Sequence, residues 1–466
     1  MVDFHAFDGR LTLGSPRAAV RRHRQHSTRG GTVSPSTGQP SRSLLRHPDF
    51  LKLWTAETVS VFGTQITLLA LPIVAAVILE VSPFEFGLLA TIEFLPFIFL
   101  SLPAGVWVDR LRRRPILIIG DLGRAISLIS IPIAYQAGVL SIYQLYAVGF
   151  VNGCMTVFFD VAYQSYLPSI VDRDQLVEGN SKLEITRSAS QIAGPGLAGV
   201  LIGALRAPFA IVLDAASFVV SAIFVFWIRR PEPPIERHDE ATGPKPSMRG
   251  EIAVGLRYVT GHRWLRPIAA TTGTSNFFGN VGGAILILYL VRERSFTPEL
   301  IGFAFSIGSV GVLIAALLTS RVTGRLGVGR MLVLTSMGFS LSILPIAVAP
   351  DDLLFAAVAA SGFVGGLCGV AWNINQVSLR QAITPLRMQG KMNATMRFIV
   401  WGTIPLGAIS GGFLGGIIGL HDTIWVAAIG SLVAFVPVAL SPVRKIREMP
   451  EPVGDDPPLG TYPASA

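Results

Sequence analysis

Twelve stretches of mostly apolar residues, each about as long as a bilayer demands, dominate this sequence. A membrane core needs roughly 20 such residues per helix. The stretches run approximately over residues 50–79, 86–108, 115–137, 141–166, 188–206 and 208–228, then over 266–291, 298–320, 330–349, 352–378, 396–419 and 422–442. The fifth and sixth are separated only by Arg206, Ala207 and Pro208. Fused, they would give about 40 apolar residues, too long for one ordinary span. Only 14% of the 466 residues are charged, and 51% are hydrophobic. Mean hydropathy is +0.56. Soluble domains carry about 25% charged residues. The fold class expected is therefore an all-α polytopic membrane protein with twelve transmembrane helices.

The segments outside the spans have a different composition. Residues 1–46 are rich in Arg, Ser, Thr, Gly and Pro and carry the run Arg21, Arg22, His23, Arg24. No apolar core follows at the distance of a secretory leader. This reads as a disordered basic tail, with a basic membrane-surface anchor as the alternative. Residues 229–265 form one long internal linker with five prolines, and 444–466 form a Pro-rich tail, also read as disordered. The six-helix halves are then 47–228 and 266–443. Two cysteines, Cys154 and Cys368, exclude a disulfide scaffold. Both fall in mid-span and are expected to serve as small apolar residues.

The net charge of +9 is explained by topology. Of the 38 Lys and Arg, 34 fall in segments on the side of the two termini, three on the opposite side, and Arg124 inside the third span. Basic loops stay in the cytoplasm, so both termini are expected there. A charge spread over seven segments is no footprint for nucleic acid.

The chain also repeats itself. Phe62-Gly63 recurs as Phe278-Gly279, Pro83 and Gly87 as Pro298 and Gly302, and Arg110-Leu111 as Arg325-Leu326. Asn180 recurs as Asn393, and Gly194, Gly199 and Gly203 recur as Gly407, Gly412 and Gly416. The offset drifts only from 216 to 213. Parallel halves about an axis along the membrane normal suggest a transporter with its site between them.

Three motifs narrow the class. After the second span comes Gly105-Val-Trp-Val-Asp109-Arg110-Leu-Arg112-Arg113-Arg114-Pro115. A glycine there allows close helix approach, and Asp109 can accept from a facing helix N-terminus or pair with an arginine. The fifth span holds Gly194-Pro195-Gly196-Leu-Ala-Gly199, small residues for tight packing around a proline bend. The third group comprises Tyr163-Gln164-Ser165-Tyr166-Leu167-Pro168, Glu178 to Glu184, and Asp214-Ala215-Ala216-Ser217-Phe218. Together these resemble the major facilitator superfamily, in the branch of enterobactin exporters and macrolide efflux proteins. The resemblance covers about residues 44–445. It implies the two-half fold, alternating access, proton-driven export and a bacterial inner-membrane location. It also implies a gate latched by Gly105, Asp109, Arg110 and Arg113, and a helix-5 exporter motif at Gly194, Pro195 and Gly199. Arg112 stands where the family often has glycine.

Ionisable residues inside spans are costly in lipid and point to a transport path. They are Glu57, Glu93, Asp121, Arg124, Asp160 and Asp214. Asp121 and Arg124 are three apart on one helix face and are expected to form a structural ion pair. Glu93 has no partner within one turn and is the first candidate for proton coupling, because a dry site disfavours the charged carboxylate. Asp160, with Arg187 as a possible partner, and Glu57, close enough to the helix end to reach water, are further candidates. Asp214 is expected to satisfy local backbone. The resemblance places the cavity on spans 1, 4, 7 and 10, where Gln65, Asn152, Asn276, Asn280, Trp372, Asn373, Asn375 and Gln376 can meet a mid-sized amphipathic molecule.

Rival classes have less support. ATP-driven transport needs a phosphate loop ending in Gly-Lys-Ser/Thr; Lys391 is the only lysine after a glycine, and Met392 follows it. A membrane glycosyltransferase could use Asp172 and Asp174, but Asp172 and Gln175 also read as a helix-capping pair. A transporter-like sensor or scaffold is the remaining alternative. The expectation is a monomeric efflux antiporter with no cofactor, no metal and no nucleic acid, whose partners are membrane lipids, protons and a drug- or siderophore-like substrate.

Overall fold

The computed structural model describes residues 44–232 and 248–450. Among them there are helices and turns but no strand. In chain order the helices are α1 (Pro48–Ile73), α2 (Pro83–Phe99), α3 (Ser101–Asp109), α4 (Arg113–Gln136), α5 (Ile142–Ile170), α6 (Leu176–Leu205), α7 (Ala207–Phe226) and α8 (Met248–Gly261). They continue with α9 (Leu265–Arg292), α10 (Pro298–Leu326), α11 (Val328–Leu341), α12 (Leu344–Val348), α13 (Leu354–Ala382), α14 (Leu386–Ile418), α15 (Leu420–Ala434) and α16 (Val436–Ala439).

Eleven helical segments are long and apolar enough to cross a membrane among the described residues. The remaining expected span is α2 plus α3, divided at Leu100. Proline supplies the reason. Pro103 has no N–H for the carbonyl of Phe99, and Pro96 removes a second donor one turn before the break. The ninth span divides in the same way into α11 and α12, before Pro345, and the twelfth into α15 and α16, before Pro437.

Helix starts follow their caps. Ser82 and Glu85 form a reciprocal capping box at α2. Thr297 caps α10 through Leu300 N–H, and His47 Nδ1 accepts from Phe50 N–H at α1.

Several expected boundaries are corrected. The fifth span was expected from 188, but α6 begins at Leu176; the eleventh was expected from 396, but α14 begins at Leu386. The extra turns are polar, so hydropathy alone cannot find them. α5 runs on to Ile170. Part of the expected 229–265 linker is helical as α8, which packs against α14. Leu44, placed in the tail by sequence, is fully buried, and the backbone of Ile446 and Arg447 is bonded to α11. Residues 1–43 and 451–466, which hold most of the expected tails, lie outside the described residues.

The repeat extends to backbone conformation. Glu80 and Ser295, 215 apart, both take positive φ, +47° and +53°. Arg206 (φ 68°, ψ 148°) links α6 to α7 as Gly419 (φ 89°, ψ 162°) links α14 to α15, 213 later. The start of α4 is capped by Glu232, whose carboxylate accepts from Arg113 N–H and Arg114 N–H at 2.8 Å each. At the matching place, α11 is capped by the carbonyls of Arg447 and Ile446. A carboxylate at a helix N-terminus also meets the positive end of the macrodipole.

The halves meet along two seams, α2 on α14 and α6 on α10. Each seam is built on glycine. A methyl at Gly87 would stand 2.8 Å from Cα of Gly412, and one at Gly302 would stand 3.1 Å from Cα of Gly199. Both contacts lie at the end of the molecule far from the termini. A single apolar cluster shared by the halves closes that end, including Ile66, Leu89, Ile202, Ile285, Ile301 and Leu420. Arg292 ties it further by donating to the carbonyls of Ala76 and Val81. At the terminal end the core divides into one cluster per half, around Phe50, Leu117 and Tyr166 and around Leu265, Leu332 and Met392.

Candidate functional site

Each half carries a cavity facing the molecular centre. The first, of about 510 Å³, lies among α1, α2, α4, α5, α6 and α7. Its wall brings together Glu57, Glu93, Asp160, Asp214, Arg124 and Arg187, with Gln65 and Asn152 beside them. Six helices thus converge their ionisable groups on one space.

Glu57 is only 3% exposed, so the expectation that it reaches water is corrected. Arg187 of α6 covers it, with Nη2 at 3.2 Å and Nε at 3.3 Å from Oε1. Arg187 was a possible partner for Asp160; it bonds to Glu57 instead. Arg124 Nη2 donates to Asp121 Oδ1 at 2.5 Å. Its guanidinium carbon lies 4.3 Å from the ring centroid of Phe159 and 4.0 Å from that of Phe218. This arginine is clamped on both faces, with the carboxylate at its edge. Asp214, 1% exposed, accepts from the hydroxyls of Thr67 and Ser217. It therefore joins α1 to α7, a larger role than satisfying local backbone.

Glu93 and Asp160 differ from these three. Both line the cavity, and neither accepts a hydrogen bond or forms an ion pair among the described residues. Glu93 owes its place to glycine: a methyl at Gly149 would stand 2.8 Å from Glu93 Cγ, and one at Gly153 would stand 2.8 Å from the Glu93 carbonyl oxygen. Asn152 Nδ2 is buried nearby with no hydrogen-bond partner among the described residues.

The second cavity, of about 360 Å³, lies among α9, α11, α13 and α14. It gathers Asn276, Trp372, Asn373 and Gln376. Asn276 donates to the carbonyl of Val400 at 3.0 Å, Trp372 Nε1 to Thr272 at 3.2 Å, and Gln376 to Asn373 at 3.0 Å. Asn280 and Asn375 stay outside it; Asn280 donates to Asn276 O, and Asn375 bonds Thr323 and Ala371. The cavities share a wall, where Phe94 and Trp401 meet edge to face with centroids 6.2 Å apart.

The second cavity also contains Arg380 and Arg397, which sequence reasoning missed. Both are counted with the loop cations in the sequence reading: Arg380 lies past the expected span end at 378, and Arg397 is only the second residue of the span expected from 396. Arg187 was missed as a span residue for the same reason. The available signal was spacing: Trp372, Gln376 and Arg380 recur every four residues, as do Arg397 and Trp401.

The motif groups separate. Among the described residues, a methyl at Gly105 would meet nothing within 4 Å. The side chain of Asp109 lies outside the described residues. Arg113 Nε is buried without a hydrogen-bond partner among the described residues, while its backbone N–H donates to Glu232. In the fifth-span motif, Gly194 lies against Gln65, Gly199 against the backbone of Pro298 and Glu299, and the Pro195 carbonyl against Gly302. Gly196 N–H donates to Ser306 Oγ across the seam at 2.8 Å. Asp172, a candidate acid in the enzyme reading, accepts from Arg230 at 3.0 Å.

Comparison with known proteins agrees with this architecture. The family model described as "Transmembrane secretion effector" matches residues 40–456. The chain is 27% identical to the multidrug efflux pump Tap of Mycolicibacterium fortuitum, over 87% of this chain and 97% of Tap. It is 21% identical to the enterobactin exporter EntS of Salmonella typhi, over 75% and 82%. A crystal structure of a bacterial homologue of the iron transporter ferroportin, in an inward-facing state, superposes with a TM-score of 0.66 at 18% identity, over 85% of this chain and 99% of that one. At that identity the likeness speaks for the fold.

Proposed function

The chain belongs to the transmembrane secretion effectors of the major facilitator superfamily, and on that premise we propose that it exports small organic compounds, drug- or siderophore-like, in exchange for protons. The observation that carries the reading is the first cavity, where, among the described residues, Glu93 and Asp160 accept no hydrogen bond and form no ion pair at bonding distance, beside two carboxylates already engaged. A carboxylate free of structural bonds can take up and release a proton without dismantling the helix packing.

The cycle is alternating access. The glycine seams close one end while the cores at the other end stay separate, which supports a state open toward the termini. With the termini in the cytoplasm, a placement the basic loops support, that state is inward-facing and loads cargo from inside the cell. Protonation of Glu93 or Asp160 shifts the population between inward- and outward-open forms by as much as the two forms differ in proton affinity. The protein acts as a monomer in the bacterial inner membrane, with lipids, protons and its cargo as partners. Gly105, Asp109, Arg110 and Arg113 latch the cytoplasmic gate when it closes.

The test uses the full chain in liposomes with a pH-sensitive dye inside and an imposed proton gradient, with candidate drugs and siderophores added singly. Compound-dependent collapse of the gradient is expected, and Glu93→Gln or Asp160→Asn should abolish it. If folded, ligand-binding protein moves no protons with any compound, the antiport reading fails in favour of a uniporter or a transporter-like sensor.

A further inference from the structure

The two cavities differ in charge. The first is lined by four carboxylates and two arginines; the second by two arginines and no carboxylate. Arg380 and Arg397 form no ion pair among the described residues. Among the described residues, Arg380 Nε is buried with no hydrogen-bond partner, and so is Oε1 of Gln376, one turn earlier on α13. One unmet cationic donor and one unmet acceptor thus share a wall of the same cavity.

Positive charge near a helix end ordinarily reflects topology, and its side chain then reaches water. These two arginines depart from that pattern. Arg380 turns into the cavity, and Arg397 lies with its guanidinium carbon 4.4 Å from the ring centroid of Trp401. Stacking occupies the face of a guanidinium and leaves its N–H edge free for a planar acid. A buried donor without an acceptor carries a desolvation cost that a bound anion relieves. The indole of Trp372 is already fixed by Thr272, so this wall keeps its shape with the cavity empty of cargo. The volume of about 360 Å³ suits a compact organic ligand.

We propose that the second cavity binds an organic anion with a planar aromatic body. Arg380 and Arg397 take its acid group, Trp401 lies along its ring, and a hydroxyl or N–H of the ligand donates to Gln376 Oε1. The proposal rests on reading this cavity as the cargo site of the exporter, and it names the cargo's class. It also separates tasks: the cargo's charge is met in one half, and the proton in the other.

Equilibrium dialysis on the full chain in lipid nanodiscs, without a gradient, tests it. The probes are 3-hydroxy-2-naphthoate, its neutral amide and unhydroxylated 2-naphthoate. The hydroxynaphthoate should bind at least tenfold more tightly than its amide. Arg380→Gln and Arg397→Gln should each remove most of that preference while leaving the amide unchanged, and Arg380→Lys should keep most of it. Gln376→Leu should remove the advantage of the hydroxyl group. Equal affinity for acid and amide overturns the proposal, as does a preference that survives both glutamine variants. Binding of chloride, with the same arginine dependence but no naphthoate binding, makes this an inorganic halide site and also overturns it. Wild-type chain that binds the hydroxynaphthoate with this arginine dependence but moves no protons in liposomes would sink the coupling reading and leave the anion site standing.

Discussion

Gly302 of α10 rests on Gly199 of α6, so close that a methyl on Gly302 would stand 3.1 Å from Cα of Gly199 and also press on the Pro195 carbonyl. The other seam repeats the contact with Gly87 on Gly412. Backbone cannot retreat as a flexible side chain can, so Gly302→Ala and Gly87→Ala should each cost about 1–3 kcal/mol. Thermal unfolding in detergent should show similar losses for the two, because the seams are repeats. Gly105→Ala is the control, since nothing lies within 4 Å of its added methyl. A loss at Gly105 as large as at Gly302 would refute the argument.

Arg206 occupies a backbone position that its counterpart in the second half fills with glycine. Its φ of 68° with ψ of 148° is a region nearly reserved for glycine. Arg206→Gly should therefore stabilise the protein by about 1 kcal/mol, and Gly419→Ala should destabilise it by about 1–3 kcal/mol. The two unfolding midpoints should move in opposite directions. Movement in the same direction would show that the linkers are not equivalent.

That linker also shows what sequence could and could not reveal. The break at Arg206 was legible, because a fused helix is too long for the bilayer. The Asp121 and Arg124 contact was legible as well, being local and set by helix spacing. The bond from Arg187 to Glu57 was not, since 130 positions separate the residues and only packing of α6 on α1 joins them. Hydropathy failed where helices begin with polar turns, as α6 and α14 do. That failure assigned Arg187 and Arg397 to loops, and the polar last turn of α13 did the same for Arg380, which hid one wall of each cavity.

The Glu57 and Arg187 pair should respond unequally to its two single deletions. Glu57 is 3% exposed, whereas 40% of the Arg187 side chain is exposed. Arg187→Gln strands a buried carboxyl and should cost about 1–3 kcal/mol. Glu57→Gln leaves an arginine that reaches water and should cost less. The double variant should recover part of the Arg187→Gln loss. Equal penalties in a double-mutant cycle would contradict the asymmetry.

His262, between α8 and α9, gives a pH dependence of defined sign. Burial and the neighbouring Arg263 push its pKa down to about 4. Its Nδ1 accepts from Trp264 N–H and Leu265 N–H, a role that needs an unprotonated nitrogen. The unfolded chain binds this proton near pH 6.5, the folded chain only near 4. Stability should therefore be full well above pH 6.5 and fall as pH drops from 6.5 toward 4, by about 3 kcal/mol. His262→Asn should flatten that part of the stability profile. A wild-type midpoint that stays constant across the window would rule the linkage out.

Glu93 and Asp160 share a cavity, yet their substitutions should not read alike. Glu93 is held against Gly149 and Gly153 and has no cation at bonding distance. Asp160 shares its wall with Arg124 and Arg187, both already bound to other carboxylates. Neutralising Glu93 breaks no bond, so Glu93→Gln should leave the unfolding midpoint within about 0.5 kcal/mol of wild type while abolishing compound-driven proton movement. Asp160→Asn removes a negative charge facing two arginines, so its loss of transport should come with a measurable loss of stability. A further variant, Gly149→Val, keeps the carboxyl but pushes it from its place, and should reduce proton movement without removing the titrating group. If Glu93→Gln retains full proton-coupled transport in liposomes while Asp160→Asn loses it with no change in stability, the coupling acid is Asp160 and the assignment to Glu93 is wrong.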